Sequence, residues 1–302
     1  MSLHDIYAVK IDTTVLGGQT QGTVQTGTQT RGEAADGAVY PRTQSIVGQN
    51  PGASFTTLAI AAALDAVGPT GLAIVGAGFS AYGQQHAEGG TRETGANHRQ
   101  YLISKGIIVP TGISCDHQGD AQISYAVAAV YDGVNNPVII NDDVALPAIA
   151  SDDQRFTIAK CTIAGVLLPD IRSWGLDFGI DVQVEGGNSD IWPTMSSIRS
   201  IRPVLTLRGI DIEWFKAANI PLVGKLATQA NTTFYLRKRL SGGDFELDAS
   251  AVHIKFNAAG LVHIDQPVDG NTNSPSEANL VLVTNFDGTN APVVINTASA
   301  IT

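Results

Sequence analysis

Cysteine is almost missing from this chain of 302 residues: there are two, Cys115 and Cys161, with no CxxC spacing. That excludes a disulfide framework and a zinc site of the usual spacing, and leaves two buried thiols in a reducing cytoplasm as the expectation. Basic residues are scarce too, 18 Lys and Arg against 28 Asp and Glu, for a net charge of −10. Lys and Arg are what phosphate backbones bind, so a general nucleic-acid binder is excluded. An acidic surface can still line a passage that DNA crosses without sticking. No apolar run approaches the ~20 residues of a membrane span. The most apolar stretch, "LAIAAALDAVGPTGLAIVGAG", is broken by Asp65, Gly68 and Pro69. The opening "MSLHDIYAVKID" carries Asp5 and Asp12 and no long apolar run, so no signal peptide is expected. The expectation is a soluble protein made in the cytoplasm, with no membrane partner.

Aromatics make up only 6% and charged residues 15%, so the core must be built from Val, Ile, Leu and Ala. Abundant Thr, Val and Ile, with 32 Gly and 13 Pro, lean toward β structure with many turns.

What the chain does have is a repeat. "VYPRTQSI" from Val39 is answered by "IWPTMSSI" from Ile191, an offset of 152. "YDGVNNPVIIN" at 131–141 is answered by "FDGTNAPVVIN" at 286–296, an offset of 155. Gly27 and Gly179, and Glu33 and Glu185, are again 152 apart. Three stations in one order at nearly one spacing point to tandem duplication, 1–150 and 151–302. The stretch "DDVALPAIASDDQ" at 142–154, with acidic pairs Asp142–Asp143 and Asp152–Asp153, reads as the connector. Each Asp-Gly (Asp132–Gly133, Asp287–Gly288) reads as the turn of a hairpin. One helix is expected per half, over 54–67 and roughly 207–219. The fold class is therefore mainly β: two tandem, similar β-sandwich or barrel domains, each with one packed α-helix.

Motifs for chemistry are thin. Gly76, Gly78 and Ala81 form G-x-G-x-x-A, but the residues after them are polar and glycine-broken, so no helix is expected to receive a pyrophosphate. His86 and His98 flank a loop with Glu88 and Glu93, without the spacing that holds a metal on one face. Asp116 and His117 are adjacent and point to opposite sides of a strand. Ser114 and Cys115 lack a nucleophile context. "RKR" at 237–239 reads as a solvated or inter-subunit charge patch. No cofactor, metal or catalytic residue is assigned, and an enzyme is not expected.

"LDFGIDVQVEGG" alternates strictly. Leu176, Phe178, Ile180, Val182 and Val184 face one way, and Asp177, Gly179, Asp181, Gln183 and Glu185 the other. The equivalent polar face in the first half is Gln25, Gly27, Gln29, Arg31 and Glu33. It is either an ordinary solvent face or a net-acidic channel wall.

The duplicated β-rich unit with one helix, the polar "YGQQHAEGGTRETGANHRQ" loop before "YLISKGIIVPTG", and the "DG-x-N-x-P" segments together resemble the tail tube (major tail) proteins of long-tailed bacteriophages. The resemblance spans most of the chain. It implies a structural virion protein, made in the host cytoplasm, whose stacked rings form the tube that conducts DNA into the host. A doubled domain implies a ring of three chains in place of six, with other tail proteins as further partners. It also implies lumen positions at Gln25, Gln29, Arg31, Glu33, Asp177, Asp181, Gln183 and Glu185. Gln84, His86, Glu88, Arg92, Glu93, His98 and Arg99 then belong to an arm, over 83–99, that reaches another subunit. The rival readings are a double jelly-roll capsid protein and a two-domain β binding protein or enzyme. The latter requires a histidine–carboxylate cluster in both halves, and the six histidines are expected to be unpaired between the halves.

Overall fold

The computed structural model of the chain describes residues 3–34, 36–37, 39–67, 73–75, 78–87, 90, 92–149, 155–187, 190–210, 218–220, 228–270, 276–286 and 288–302. The protein is mainly β. The first half runs β1 (Leu3–Ile11), β2 (Thr14–Leu16), β3 (Gln19–Gln25), β4 (Thr28–Glu33), β5 (Thr43–Gln49), β6 (Gly52–Thr57), α1 (Ile60–Val67), β7 (Ala73–Val75), β8 (Phe79–His86), β9 (His98–Ile103), β10 (Gly106–Asp116), β11 (Gln122–Ala129) and β12 (Ile139–Val144). The second half runs β13 (Arg155–Ile163), β14 (Val166–Leu167), β15 (Ile171–Asp177), β16 (Ile180–Glu185), β17 (Met195–Ile201), β18 (Val204–Gly209), β19 (Thr228–Arg239), β20 (His253–Asp269), β21 (Glu277–Thr284) and β22 (Val293–Ser299).

In the first half, a sheet β12-β9-β8-β1-β2 faces the strands β10-β11-β6-β3. Side chains alternate into the space between: Ile123, Tyr125 and Val127 of β11 are buried and their neighbours are not. Phe55 of β6 stacks on Tyr125 at 5.3 Å and on Phe79 of the facing sheet at 5.4 Å, tying the layers together. Helix α1 closes one end with Ile60, Ala63, Leu64 and Val67 buried. Each fully buried Leu, Ile or Phe contributes about 1.5–3 kcal/mol. Thr57 Oγ1 accepts from Ala59 N–H at 3.1 Å, a side-chain turn just ahead of the helix. The helix is shorter than 54–67 because the β-branched, aromatic run Gly52–Thr57 pairs with β11 and β3 instead. The helix expected at 207–219 begins inside β18, and residues 211–217 lie outside the described residues.

The second half repeats these pairings. Ile11↔Phe79 of β1–β8 has its counterpart in Ile163↔Thr232 of β13–β19. Gly22↔Phe55 becomes Trp174↔Leu207, and Leu102↔Ile139 becomes Asn257↔Val294. Irregularities recur as well. The shifts at Gln19/Gln21, Gln29/Thr30 and Pro110/Gly112 reappear at Ile171/Ser173, Asp181/Val182 and Ile264/Gln266. Bulges are specific to a local backbone, so their recurrence is a stronger sign of two equivalent units than shared strand order. One difference is that β9 and β10 correspond to the single long strand β20, which pairs with β22 over His253–Ala258 and with β21 from Gly260 onward.

The core also differs at one place. Gly22, Ala81 and Tyr101 help line a cavity of about 240 Å³ in the first unit. Their equivalents Trp174, Phe234 and Phe256 pack together, with ring centroids 4.2 Å and 5.2 Å from Trp174.

Two sequence expectations are corrected. The alternating run 176–185 is two strands, β15 and β16, parted by a corner at Phe178–Gly179. Gly179 has φ +56, and a Cβ there would sit 2.1 Å from the Arg202 carbonyl oxygen. Gly27 has φ +58 and the same 2.1 Å approach to Asn50. Both corners need glycine. The Asp-Gly segments, secondly, are not hairpins. β11 pairs with β10 and β6 whereas β12 pairs with β9, so 130–138 crosses between layers. Likewise β21 and β22 each pair with β20.

Candidate assembly interface

The two units meet edge to edge. β10 of the first pairs with β15 of the second over Gly112↔Asp177 to Asp116↔Ser173. β15 is the counterpart of β3, so the joined edges are different parts of the repeated unit, and the contact is head to tail. Ile113 and Leu176, and Cys115 and Trp174, face each other on the core side of this ladder. Around it, Phe178 N–H donates to Thr111 O at 3.1 Å and Ala121 N–H to Phe156 O at 2.7 Å. Arg239 and Arg155 approach the Asp120 carboxylate at 3.4 Å and 3.8 Å. Of the basic cluster at 237–239, Arg239 serves the contact between units by facing Asp120, whereas Arg237 binds Asp248 within the second unit at 2.7 Å.

The repeated Pro station of the second unit seats on the first. Trp192 Nε1 donates to Gln49 Oε1 at 2.6 Å, and Gln49 N–H to Ile191 O at 2.8 Å. Tyr131 N–H donates to Pro193 O at 2.7 Å, and its ring lies 5.4 Å from Trp192.

A head-to-tail contact leaves one edge of each kind over. Among the described residues, β3 of the first unit ends the sheet and pairs only with β6. In the second, the last part of β20, past Val262, pairs among the described residues with β21 alone. These are the counterparts of β15 and β10.

The eight strands β3-β6-β11-β10-β15-β18-β21-β20 form one continuous run whose outer face is mostly small and polar, with Val204, Val281 and Val283 as apolar positions toward the β21 end. One row crosses it as Gln21, Thr56, Ser124, Gly112, Asp177, Val204 and Val283. Another is Asp116, Ser173, Arg208 and Asn279. Arg208 is held by Asp269 at 3.0 Å and approaches Glu277 at 3.8 Å. Asp116 and Asp177 keep the face acidic. Of these positions sequence reasoning named only Asp177 for such a face, although the signal for the others was present as alternation in "QISYAVAA" and "VLTLRG".

Of the eight lumen positions expected, Gln25 and Asp177 lie on this face, at the ends of β3 and β15. Asp177 accepts from Gly179 N–H at 2.8 Å and so shapes the corner. Gln29, Arg31 and Glu33 lie on the hairpin β4–β5, and Asp181, Gln183 and Glu185 on β16–β17. Both hairpins stand apart as two-stranded sheets. Arg31 pairs with Glu33 at 2.7 Å, and Gln183 donates to Glu185.

The arm expected at 83–99 is mostly body. Gln84 and His98 are buried within β8 and β9. His86 contacts Asp5 at 3.0 Å, Arg92 contacts Asp5 at 3.5 Å, and Arg99 binds Asp142 at 2.6 Å. Glu93 N–H donates to Gln85 O at 3.0 Å, folding the loop back on β8. Glu88 lies outside the described residues. Asp142 and Asp143 belong to β12, so the connector starts later than 142, and Asp152 and Asp153 lie outside the described residues.

One pair of histidines does recur between the units, against the expectation. His98 and His253 are 155 apart, both buried, and each takes a backbone N–H on Nδ1 at 3.0 Å: Gln85 for His98 and Lys238 for His253. Their role is to satisfy the backbone of the neighbouring strand. Among the described residues, no three His, Cys, Asp or Glu side chains gather to hold a metal ion. Gly78 leads into strand β8, which offers no helix start to a phosphate. Cys115 and Cys161 are free and buried. No helix among the described residues is long and apolar enough to cross a membrane. No protein-family model matches the chain, and no curated protein matches it.

Proposed function

We propose that the chain is a structural subunit that closes head to tail into a ring, and that rings stack into a tube of the kind found in bacteriophage tails. One observation carries this reading. The junction inside the chain joins two unlike edges of one repeated unit, and among the described residues one edge of each kind is left unpaired. Such a contact repeats until it closes as a ring or continues as a filament. Pairing β3 with β20 of the next copy removes both exposed edges. Three chains then supply six equivalent places, as the resemblance to duplicated tail tube proteins implies. The small polar face forms the wall of the bore. Its excess of Asp and Glu over Arg repels phosphate, so DNA passes without binding.

The in-chain ladder fixes the register of the contact between chains. Gly112↔Asp177 translates to Gln266↔Gln25, and directly opposed residues lie within disulfide reach. Mixed Gln25→Cys and Gln266→Cys chains should therefore give a covalent dimer on mild oxidation, and the double variant a closed trimer. Chains that remain monomeric under both conditions would refute the reading.

A further inference from the structure

The repeated Pro station is occupied in one unit and bare in the other. Inside the chain, Ile191–Trp192–Pro193 seats on Gln49 and Tyr131 through three hydrogen bonds and a ring contact. The counterpart in the first unit is Val39–Tyr40–Pro41, where Val39 is 87% and Tyr40 81% exposed. The counterparts of the seat are Ile201 and Phe286, at offsets 152 and 155, and they are 40% and 64% exposed. All four are large apolar side chains in water. Isolated exposed hydrophobics need no explanation, but these four are the matched halves of a contact already made once in the same molecule.

We infer that Tyr40 of one copy docks on Phe286 and Ile201 of a second copy of this chain, as the contact that completes the junction between chains. The inference rests on the ring reading and gives it a specific anchor. By equivalence, the Ile201 N–H donates to the Val39 carbonyl, and the Phe286 N–H to the Pro41 carbonyl. The chemistry of the two junctions differs. Inside the chain the indole N–H is anchored on a glutamine amide, a directional bond between polar atoms. Between chains, Ile201 replaces that glutamine and Tyr40 that tryptophan, so an apolar contact takes the same place. Aromatic anchors of this kind carry much of an interface's energy.

The test compares Tyr40→Ala, Phe286→Ala and wild-type chains by sedimentation velocity over a concentration series. Each substitution should weaken chain–chain association by roughly 30-fold. At dilutions where every chain is monomeric the melting temperature should hold, since both side chains are exposed. Mixed Tyr40→Cys and Phe286→Cys chains should give a disulfide-linked dimer that neither gives alone. In a Tyr131→Cys, Trp192→Cys double variant the bond should form within one chain at any dilution. Wild-type rings that persist unchanged in Tyr40→Ala, without cross-linking of the mixed chains, would overturn this inference and leave the ring reading standing. Wild-type chains that never associate would overturn both.

Discussion

Replacing Gly27 or Gly179 by alanine should cost the fold more than the same change at Gly133 or Gly288. All four have positive φ, between +56 and +99. An L-residue there costs about 1–2 kcal/mol in backbone strain. At Gly133 and Gly288 an added Cβ meets nothing within 4 Å, so strain is the whole cost. At Gly27 the Cβ lies 2.1 Å from Asn50 O, and at Gly179 2.1 Å from Arg202 O. Each corner must open to relieve that overlap. Opening breaks the bond from Asn50 N–H to Gly27 O, or from Arg202 N–H to Gly179 O, worth about 1 kcal/mol. The expected totals are about 2–3 kcal/mol at the two corners, against about 1–2 at the two open turns. Urea unfolding checks this, with the midpoint falling and the slope unchanged. Equal losses at Gly27 and Gly133 would refute the view that the repeated glycine is held by close approach of the backbone.

Other expectations concern buried and hydrogen-bonded groups. His98→Leu and His253→Leu should each lose about 1–3 kcal/mol by leaving the N–H of Gln85 or Lys238 without an acceptor, and unchanged urea midpoints would contradict this. The Asp132 carboxylate accepts from the N–H groups of Asn135 (2.7 Å) and Val134 (2.8 Å) and from Ser104 Oγ (3.0 Å), which hold it well below the usual carboxylate range. Because the folded value is depressed below about 3.9, its stabilisation is complete above that pH and fades as pH falls through the folded value. Asp132→Asn should flatten that acid limb of an unfolding titration, and an identical limb would count against it. Burial pushes the Cys115 thiol up to about 11, and Cys161 higher still. Neither should react with a thiol reagent at pH 8 until the chain unfolds; labelling of the native protein would contradict their burial.

The duplication was legible because its stations sit where the backbone allows few residues. Gly27 and Gly179 turn corners, and Pro41 and Pro193 lie in equivalent stations. The strands between were less legible because packing tolerates exchange. Trp174 stands where Gly22 stands, and Phe234 where Ala81 stands, so equivalent positions share no chemistry. The His98–His253 pair was legible too, since its offset of 155 is that of the Asp-Gly station; its role was not, because a lone buried histidine that accepts one backbone N–H has no motif around it. The Asp-Gly segments misled because a turn signal reports a local bend and says nothing about which strands pair beyond it. The polar sheet face was hidden because its rows run across eight strands far apart in sequence, whereas the alternation in 176–185 was conspicuous and local. Edge pairing of unlike strands is a tertiary fact that no single stretch carries.

Closure into a ring is open to direct view by electron microscopy of the purified wild-type chain across a range of concentrations. Head-to-tail closure predicts end-on views of a ring with a central hole, three chains around it, and six similar lobes that alternate between the two units. A homogeneous monomer at every concentration, or a solid particle without a bore, would contradict it.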